Sequence, residues 1–350
     1  MDALQPASGP IRSSIYLPAD PAAVLWGRLP CEADSPVLTI DPGTEVTIDT
    51  ISHEGILEDQ GRDPRAFFGR YGAAEVLDDA VALAASDRSR GDGGPHVVTG
   101  PIRVTGALPG DLLKITVLET LPRVPYGVIS NRHQRGALAG EYPVDGETVS
   151  VFAAVDADGY GTLPRMLGAD HDVRFPLKPF LGIMGVAVSG SVRPHSVPPG
   201  PHGGNIDINL LSVGASLYLP VQVAGALAYV GDPHFAQGDG EVALTAMEAS
   251  LRATLRFEVV PHDSAVASFG ELVGPLAETA DYLVPTGLDE DLDTAVQNCV
   301  RAAIALLRAR YGMDDEHAYA YLSAATDFNI SQVVDIVKGV HARVRKSDFE

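Results

Sequence analysis

IRVTGALPGDLLKITVL, residues 102–118, reads as two β-type runs joined by a Leu-Pro-Gly-Asp turn. Proline presets the φ of the turn and glycine supplies its left-handed corner, so the flanking runs fold back on each other. The same grammar occurs in VLTIDPGTEVTI, residues 37–48, around Asp-Pro-Gly, and more loosely from Ile206 to Val230. SLRATLRFEVV, residues 250–260, alternates clearly, and Gly185 to Val197 is also strand-like. Repeated strand, turn, strand units predict an α+β, β-rich protein whose antiparallel strands form sandwich or barrel-like sheets.

Two regions change character. Asp63 to Ser86 is alanine-rich and predicts a helical insertion, followed by a charged loop at Asp87 to Gly94. From Leu288 to Arg310, LDEDLDTAVQNCVRAAIALLRAR begins with acids, carries an apolar stripe at helical spacing and ends in arginines, as the helix dipole favours. Two further helices are expected at about Asp314 to Ala325 and Ile330 to His341. No polar linker separates this part from the rest. Residues 1–285 are therefore expected to form a β-rich catalytic body, with 286–350 as a helical C-terminal layer packed on it, within one integrated domain.

The 350 residues include 25 basic and 46 acidic side chains, a formal charge of −21, which disfavours nucleic acid and anionic membrane as partners. A neutral or cationic small molecule fits that balance better. Leu210 to Gly231 carries no charge, but its alternating Leu-Tyr-Leu-Pro-Val-Gln-Val segment reads as buried strands joined by a turn, with a membrane helix the weak alternative. Only Cys31 and Cys299 occur, too far apart for a metal motif, so both are expected to be reduced and buried in a cytoplasmic protein. MDALQPASGPIRSS at the start does not read as a secretory signal.

Chemistry concentrates in Pro201 to Glu248, PHGGNIDINLLSVGASLYLPVQVAGALAYVGDPHFAQGDGEVALTAME. Asp232 and His234 flank Pro233, while Gln237, Asp239 and Glu241 alternate with Gly238 and Gly240. On an extended chain each set faces one side and converges. His202, Asp207, Asp232, His234 and Glu241 supply the mixture of imidazoles and carboxylates that a divalent metal takes, although no short metal signature is matched. A solvated acidic loop or a calcium site without turnover is the plainer alternative. Three more segments stand out: Ser52-His53-Glu54-Gly55 with Asp59 and Gln60, Pro95-His96, and the cationic Asn131-Arg132-His133. His171, His262, His317 and His341 read as ordinary histidines. There is no phosphate-binding glycine loop with its lysine and no Gly-x-Ser-x-Gly elbow.

The segments HVVTGPIRVTGALPGD (96–111), HGGNIDINLL (202–211), LYLPVQVAGALAYVGDPHFAQGDGEV (217–242) and SAATDFNISQVVDIVKGVHA (323–342) together resemble the acetamidase/formamidase family, from about Val37 to the C-terminus. That resemblance implies hydrolysis of a small linear carboxamide to carboxylate and ammonia, metal dependence, and a cytosolic homo-oligomer, dimeric or larger. Among the residues in the matched elements, His202, Asp207, Asp232 and His234 are the expected metal ligands, zinc first and calcium second. Glu241 or Glu54 is then the base, His96 the acid that protonates the leaving amine, and His53, Asn205, Gln237 and His133 contact the substrate. SHEGILEDQGRDP (52–64) and His96-Val97 depart from the family pattern, which implies a differently shaped pocket and leaves the physiological amide open. A non-catalytic ligand or calcium site, or a hydrolase of an imide or ureido compound, is the competing expectation.

Overall fold

The computed structural model describes residues 2–166 and 172–350. Its strands form two large sheets. The first has nine strands in the order Tyr16–Leu17, Thr44–Asp49, Leu251–Val260, Leu112–Pro122, Ser216–Pro220, Leu276–Glu278, Tyr282–Asp289, Lys338–Arg345 and Asp327–Gln332. The second has eleven, with Ala228–Ala236 at its centre between Phe180–Gly185, Val97–Val104 and the short Met247–Glu248, and a meander running from Tyr126–Arg132 to Asp172–Pro176 at one edge. Nearly all pairings are antiparallel; Tyr16–Leu17 with Thr44–Asp49 and Leu38–Ile40 with Val97–Val104 are parallel.

Alternation along the first sheet explains the layering. Leu113, Leu217, Ala277 and Val284 enter one core, where they join Ile102, Met184 and Val230 of the second sheet, so the two sheets pack face to face as a sandwich. Their neighbours Leu112, Tyr218, Leu276 and Leu283 point the other way and meet Ala303, Leu306, Leu307 and Leu322 of the helices. A sheet buried on both faces needs apolar residues at both parities, which is why these strands look almost uniformly hydrophobic.

The helices begin and end where their sequences say. Asp63 caps Pro64–Gly69 through Ala66 N, with proline in the first turn, and Asp78–Ala85 completes the insertion. Asp291 accepts from Thr294 N at 2.9 Å to start Leu292–Tyr311, and Gly312, at φ 68°, ends it. Asp314 caps Asp315–Ala325 in the same way.

Three expectations need correction. The runs flanking the Pro-Gly turns, Leu38–Ile40 with Thr44–Asp49 and Val97–Val104 with Leu112–Pro122, do not pair with each other but enter different sheets. The helix expected over 330–341 is a β-hairpin, Asp327–Gln332 paired with Lys338–Arg345. Gln332 closes its loop, giving Nε2 to Val337 O at 2.8 Å and accepting from Val334 N and Asp335 N at 2.9 and 3.1 Å. The strand placed at 185–197 ends at Gly185, its regular part being Phe180–Gly185. Residues 210–231 pass from a strand of the first sheet into one of the second, and among the described residues no helix is long and apolar enough to cross a membrane. Cys31 and Cys299 are buried and unpaired.

Candidate active site

Sheet register assembles the site. On the central strand of the second sheet, His234 lies across from Phe180 on one side and Glu248 on the other, while Gly231 pairs with Val98, in the strand that His96 leads into. Asp232 and His234 therefore meet Glu248 without any sequence proximity. Asp232 Oδ2 and Glu248 Oε1 each lie 3.1 Å from His234 Nε2. Two other imidazoles complete the ring around Asp232: His53 Nδ1 is 3.4 Å and His96 Nε2 3.8 Å from its Oδ1. His53 Nδ1 is also 3.9 Å from Glu248 Oε2.

Each of these rings turns its outer nitrogen to a polar neighbour, His53 by charge alone and the other two by hydrogen bonds. His53 Nε2 is 3.3 Å from Glu54 Oε1, and His96 Nδ1 is 3.0 Å from Ser196 Oγ. His234 Nδ1 is 3.1 Å from Gln237 Oε1, and both of Gln237's remaining contacts, to Asp207 O and Ser331 O, are donated by its Nε2. The amide oxygen of Gln237 must then accept, so His234 Nδ1 carries a hydrogen and Nε2 is aimed at Asp232 and Glu248, which raise its proton affinity. Glu54 faces His53 Nε2 by charge, without a hydrogen bond. Glu54 is itself held by Ser130 Oγ at 2.5 Å, by Gln60 and by Arg132 at 3.2 Å, and Arg132 also pairs with Asp59 at 2.7 Å.

Beside this ring sits a second acidic group, Asp207, Glu241 and Asp335, all buried. Burial pushes all three carboxyls well above their usual range, and their mutual repulsion pushes further. Glu248 is raised by burial too. Burial opposes charge on His53, yet Asp232, Glu54 and Glu248 carry it up to about 10. His96, buried and repelled by the other two imidazoles, falls to about 4. Glu54 runs against its burial and drops to about 2 because His53 and Arg132 face it.

The backbone is bent to make this arrangement. Asp207, Asp232 and Glu241 all adopt left-handed φ, 47°, 49° and 48°, a conformation that costs a non-glycine residue and concentrates at functional positions. Gly182 forms the floor. A Cβ there would lie 2.8 Å from both Asp232 Oδ2 and His234 Cε1, and nearer still to Asp207 Oδ1.

Buried polar atoms without partners include both ring nitrogens of His53, both oxygens of Asp207, Asp232 Oδ1, Glu248 Oε2, Asn205 Oδ1 and Asp335 Oδ2. Such orphans are costly unless a cation or ligand satisfies them. Three groups hold ligand atoms within 4.8 Å of one another: His53, His96 and Asp232; Asp232, His234 and Glu248; and Asp207, His234 and Glu241. The donor set thus fits a divalent metal. A cavity of about 570 Å³ opens onto it, with His53, His96, Asn205, Asp232, Glu241, Glu248 and Asp335 in its wall.

Of the residues singled out in the sequence, His53, Glu54, His96, Asn205, Asp207, Asp232, His234, Gln237 and Glu241 come together here. His202 does not join the three ligand groups; its ring packs on Gly200 and Gly204, and burial lowers it to about 4 with no charged neighbour involved. His133 faces Pro143 O at 3.3 Å and lies outside the cavity wall, which takes Arg132 instead. The expected common face of Gln237, Asp239 and Glu241 is absent, because this segment turns rather than extends: Asp239 reaches Arg343 at 3.0 Å on the surface. His171 lies outside the described residues. Glu248 and Asp335 were not picked out: one joins by strand pairing, the other from the loop of the misread hairpin.

The profile of the Acetamidase/Formamidase family matches residues 93–195 and 191–344. The formamidase of Methylophilus methylotrophus is 26% identical over 303 residues, covering 69% of this chain and 74% of that one. An acetamidase of Mycolicibacterium smegmatis is 30% identical over 199 residues, 42% of this chain and 49% of the other. The crystal structure of the acetamidase from Bacillus halodurans superposes with a TM-score of 0.75 at 25% identity, over 96% of this chain and 98% of that chain.

Proposed function

Because the chain belongs to the acetamidase/formamidase family and is a hydrolase of carbon–nitrogen bonds in linear amides, we propose that it cleaves a carboxamide to carboxylate and ammonia at the buried histidine–carboxylate ring, with a divalent cation held there. The observation that carries this reading is the convergence of His53 Nδ1, His96 Nε2 and His234 Nε2 on Asp232 and Glu248, with the other nitrogens of His96 and His234 hydrogen-bonded outside and that of His53 facing Glu54. Outer partners of this kind fix the tautomer and orientation of metal-binding histidines. Three imidazoles favour zinc over calcium, which prefers oxygen donors throughout. When bound, such a cation supplies Lewis acidity for an amide carbonyl and lowers the pKa of water.

The chain's own groups perform the rest. Glu241 stands on the cavity wall with a raised pKa, so it takes a proton from the attacking water and returns it to the departing nitrogen. Asp207 and Asp335 crowd Glu241 and keep that proton affinity high. Asn205 Oδ1, unpartnered in the same wall, accepts an N–H of the carboxamide. Glu54 orients His53 rather than acting as base, since its oxygens are already taken by Arg132, Ser130 and Gln60. On this assignment His96 acts as a ligand, and the acid role passes to protonated Glu241. Two unpaired cysteines and exposed Leu138, Val149, Val173 and Val242 support a cytoplasmic homo-oligomer.

Ammonia release from formamide, acetamide and longer amides, run beside elemental analysis with and without chelator, tests this. Asp232→Ala and His234→Ala are each expected to lose bound metal and turnover together. Retention of both properties by both variants would place the chemistry elsewhere.

A further inference from the structure

Above the acidic floor the cavity changes character. Leu57, Leu244 and Ile336 give it apolar wall, and three arginines, Arg90, Arg132 and Arg135, line it in a chain of charge −21. Every carboxylate of that outer wall is already paired: Glu58 with Arg90 at 3.0 Å, Asp59 with Arg132 at 2.7 Å, and Asp92 with Arg28 at 2.5 Å. Arg135 is exposed and, among the described residues, has no ion-pair partner.

The backbone of the turn that carries it is nevertheless held against the reaction centre. The turn carrying Arg135 is bound to the loop that carries Glu241 and Leu244. Ala137 N donates to Val242 O at 2.9 Å, Asn131 Nδ2 to Ala243 O at 2.9 Å, and Ser130 N to Thr245 Oγ1 at 2.8 Å. Gly136 sits so close that a Cβ would lie 3.2 Å from Val242 O.

Size points the same way. A water occupies roughly 30 Å³ of liquid, so about 570 Å³ holds well over a dozen groups of that size, whereas acetamide offers four heavy atoms. We propose that the preferred substrate is the half-amide of a dicarboxylic acid, its carboxamide at the histidine–carboxylate floor, its chain along Leu57, Leu244 and Ile336, and its free carboxylate paired with Arg135. This rests on the amidase reading above. Hydrolysis then adds water across the C–N bond, giving the dicarboxylate and ammonia, which leaves with the proton relayed by Glu241. The chain's net charge opposes an anion at long range, but charges farther than about 8 Å are largely screened at physiological salt, and what the carboxylate meets at the rim is Arg135. A planar guanidinium suits a carboxylate because it can donate two parallel N–H bonds.

The test compares pentanamide with the monoamides of glutaric and adipic acid in the wild type, Arg135→Met, Arg135→Glu and Arg135→Lys. Wild type is expected to favour the half-amides by about 10-fold or more in kcat/KM. Arg135→Met should remove most of that ratio through KM with kcat little altered, Arg135→Glu should remove more, and Arg135→Lys should recover part. A wild-type ratio below two, or a ratio unmoved in Arg135→Glu, overturns the inference while leaving amidase activity standing. Failure to release ammonia from any amide, formamide and acetamide included, overturns the amidase reading and this inference with it.

Discussion

Replacing Gly182 by alanine adds one methyl group at the centre of the site, and its effect can be worked from the geometry. The residue is not in the left-handed region, so alanine costs the backbone nothing there. The new Cβ would stand 2.8 Å from Asp232 Oδ2 and His234 Cε1 and nearer to Asp207 Oδ1, all within normal contact distance. Something must give by about 1 Å, and the carboxylates yield before the strand, which is paired on both sides with Ala228–Ala236 and Gly203–Asn205. Overpacking of this size costs about 1–3 kcal/mol, short of the roughly 5–15 kcal/mol that holds a domain folded. A misplacement of about 1 Å among reacting groups costs about 100-fold in rate. Gly182→Ala should therefore remain folded by circular dichroism and thermal melting while kcat/KM for ammonia release falls about 100-fold and metal retention weakens. Gly274→Ala, whose Cβ meets open space, is the control. Activity within threefold of wild type in Gly182→Ala would refute the view that Gly182 sets the spacing of these ligands.

Three more outcomes follow from other parts of the molecule. Asp49 binds the fully buried Arg252 at 2.6 Å and faces Arg123 at 3.5 Å, so Asp49→Ala should destabilise by about 3–5 kcal/mol in urea unfolding; a loss under 1 kcal/mol would contradict this. Gln237→Leu leaves the tautomer of His234 unspecified, and chelator competition should show metal affinity reduced about 10- to 100-fold; unchanged competition would count against the orienting role. Burial depresses His341 from 6.5 to about 4, so the folded state takes up its proton later than the unfolded chain as pH falls. The stability this gives is full above about pH 6.5, declines as pH falls towards 4, and amounts to at most about 3 kcal/mol. His341→Asn should flatten that part of the profile relative to wild type, and coincident slopes would show that another group is responsible.

Local signals carried the strands and their turns well but not their partners, since the strands on either side of each turn enter different sheets. Asp41-Pro42-Gly43 and Leu108-Pro109-Gly110 dictate their turns irrespective of what lies elsewhere, and the strands follow from alternation on either side. Ile330, Val333, Val334 and Val337 mimic a helical stripe, and only tertiary pairing decides otherwise: Val340, Ala342 and Val344 are buried against the helices. The same misreading hid Asp335. Glu248 was hidden differently, since its place opposite His234 is a matter of strand register, which no window of sequence around either residue contains. Alternation from Gln237 to Glu241 suggested one face, but left-handed Glu241 turns its side chain inward while Asp239 leaves for Arg343. His53, His96 and Asp232 were recognisable singly because each stands beside glycine, proline or an acid; that they meet was not.

Gln237 has a consequence for the order in which the molecule becomes competent. Its amide can hold His234 in one tautomer only because both hydrogens are spent, one on Asp207 O, 30 residues before it, and one on Ser331 O, 94 residues after it. Until the C-terminal hairpin docks, that amide is free to rotate and either imidazole nitrogen can carry the hydrogen. A nascent chain that has made the whole Pro201 to Glu248 stretch therefore still lacks a fixed orientation and tautomer at His234. Competence waits for the hairpin of residues 327–345 to dock, although it contributes no group to the ring around Asp232.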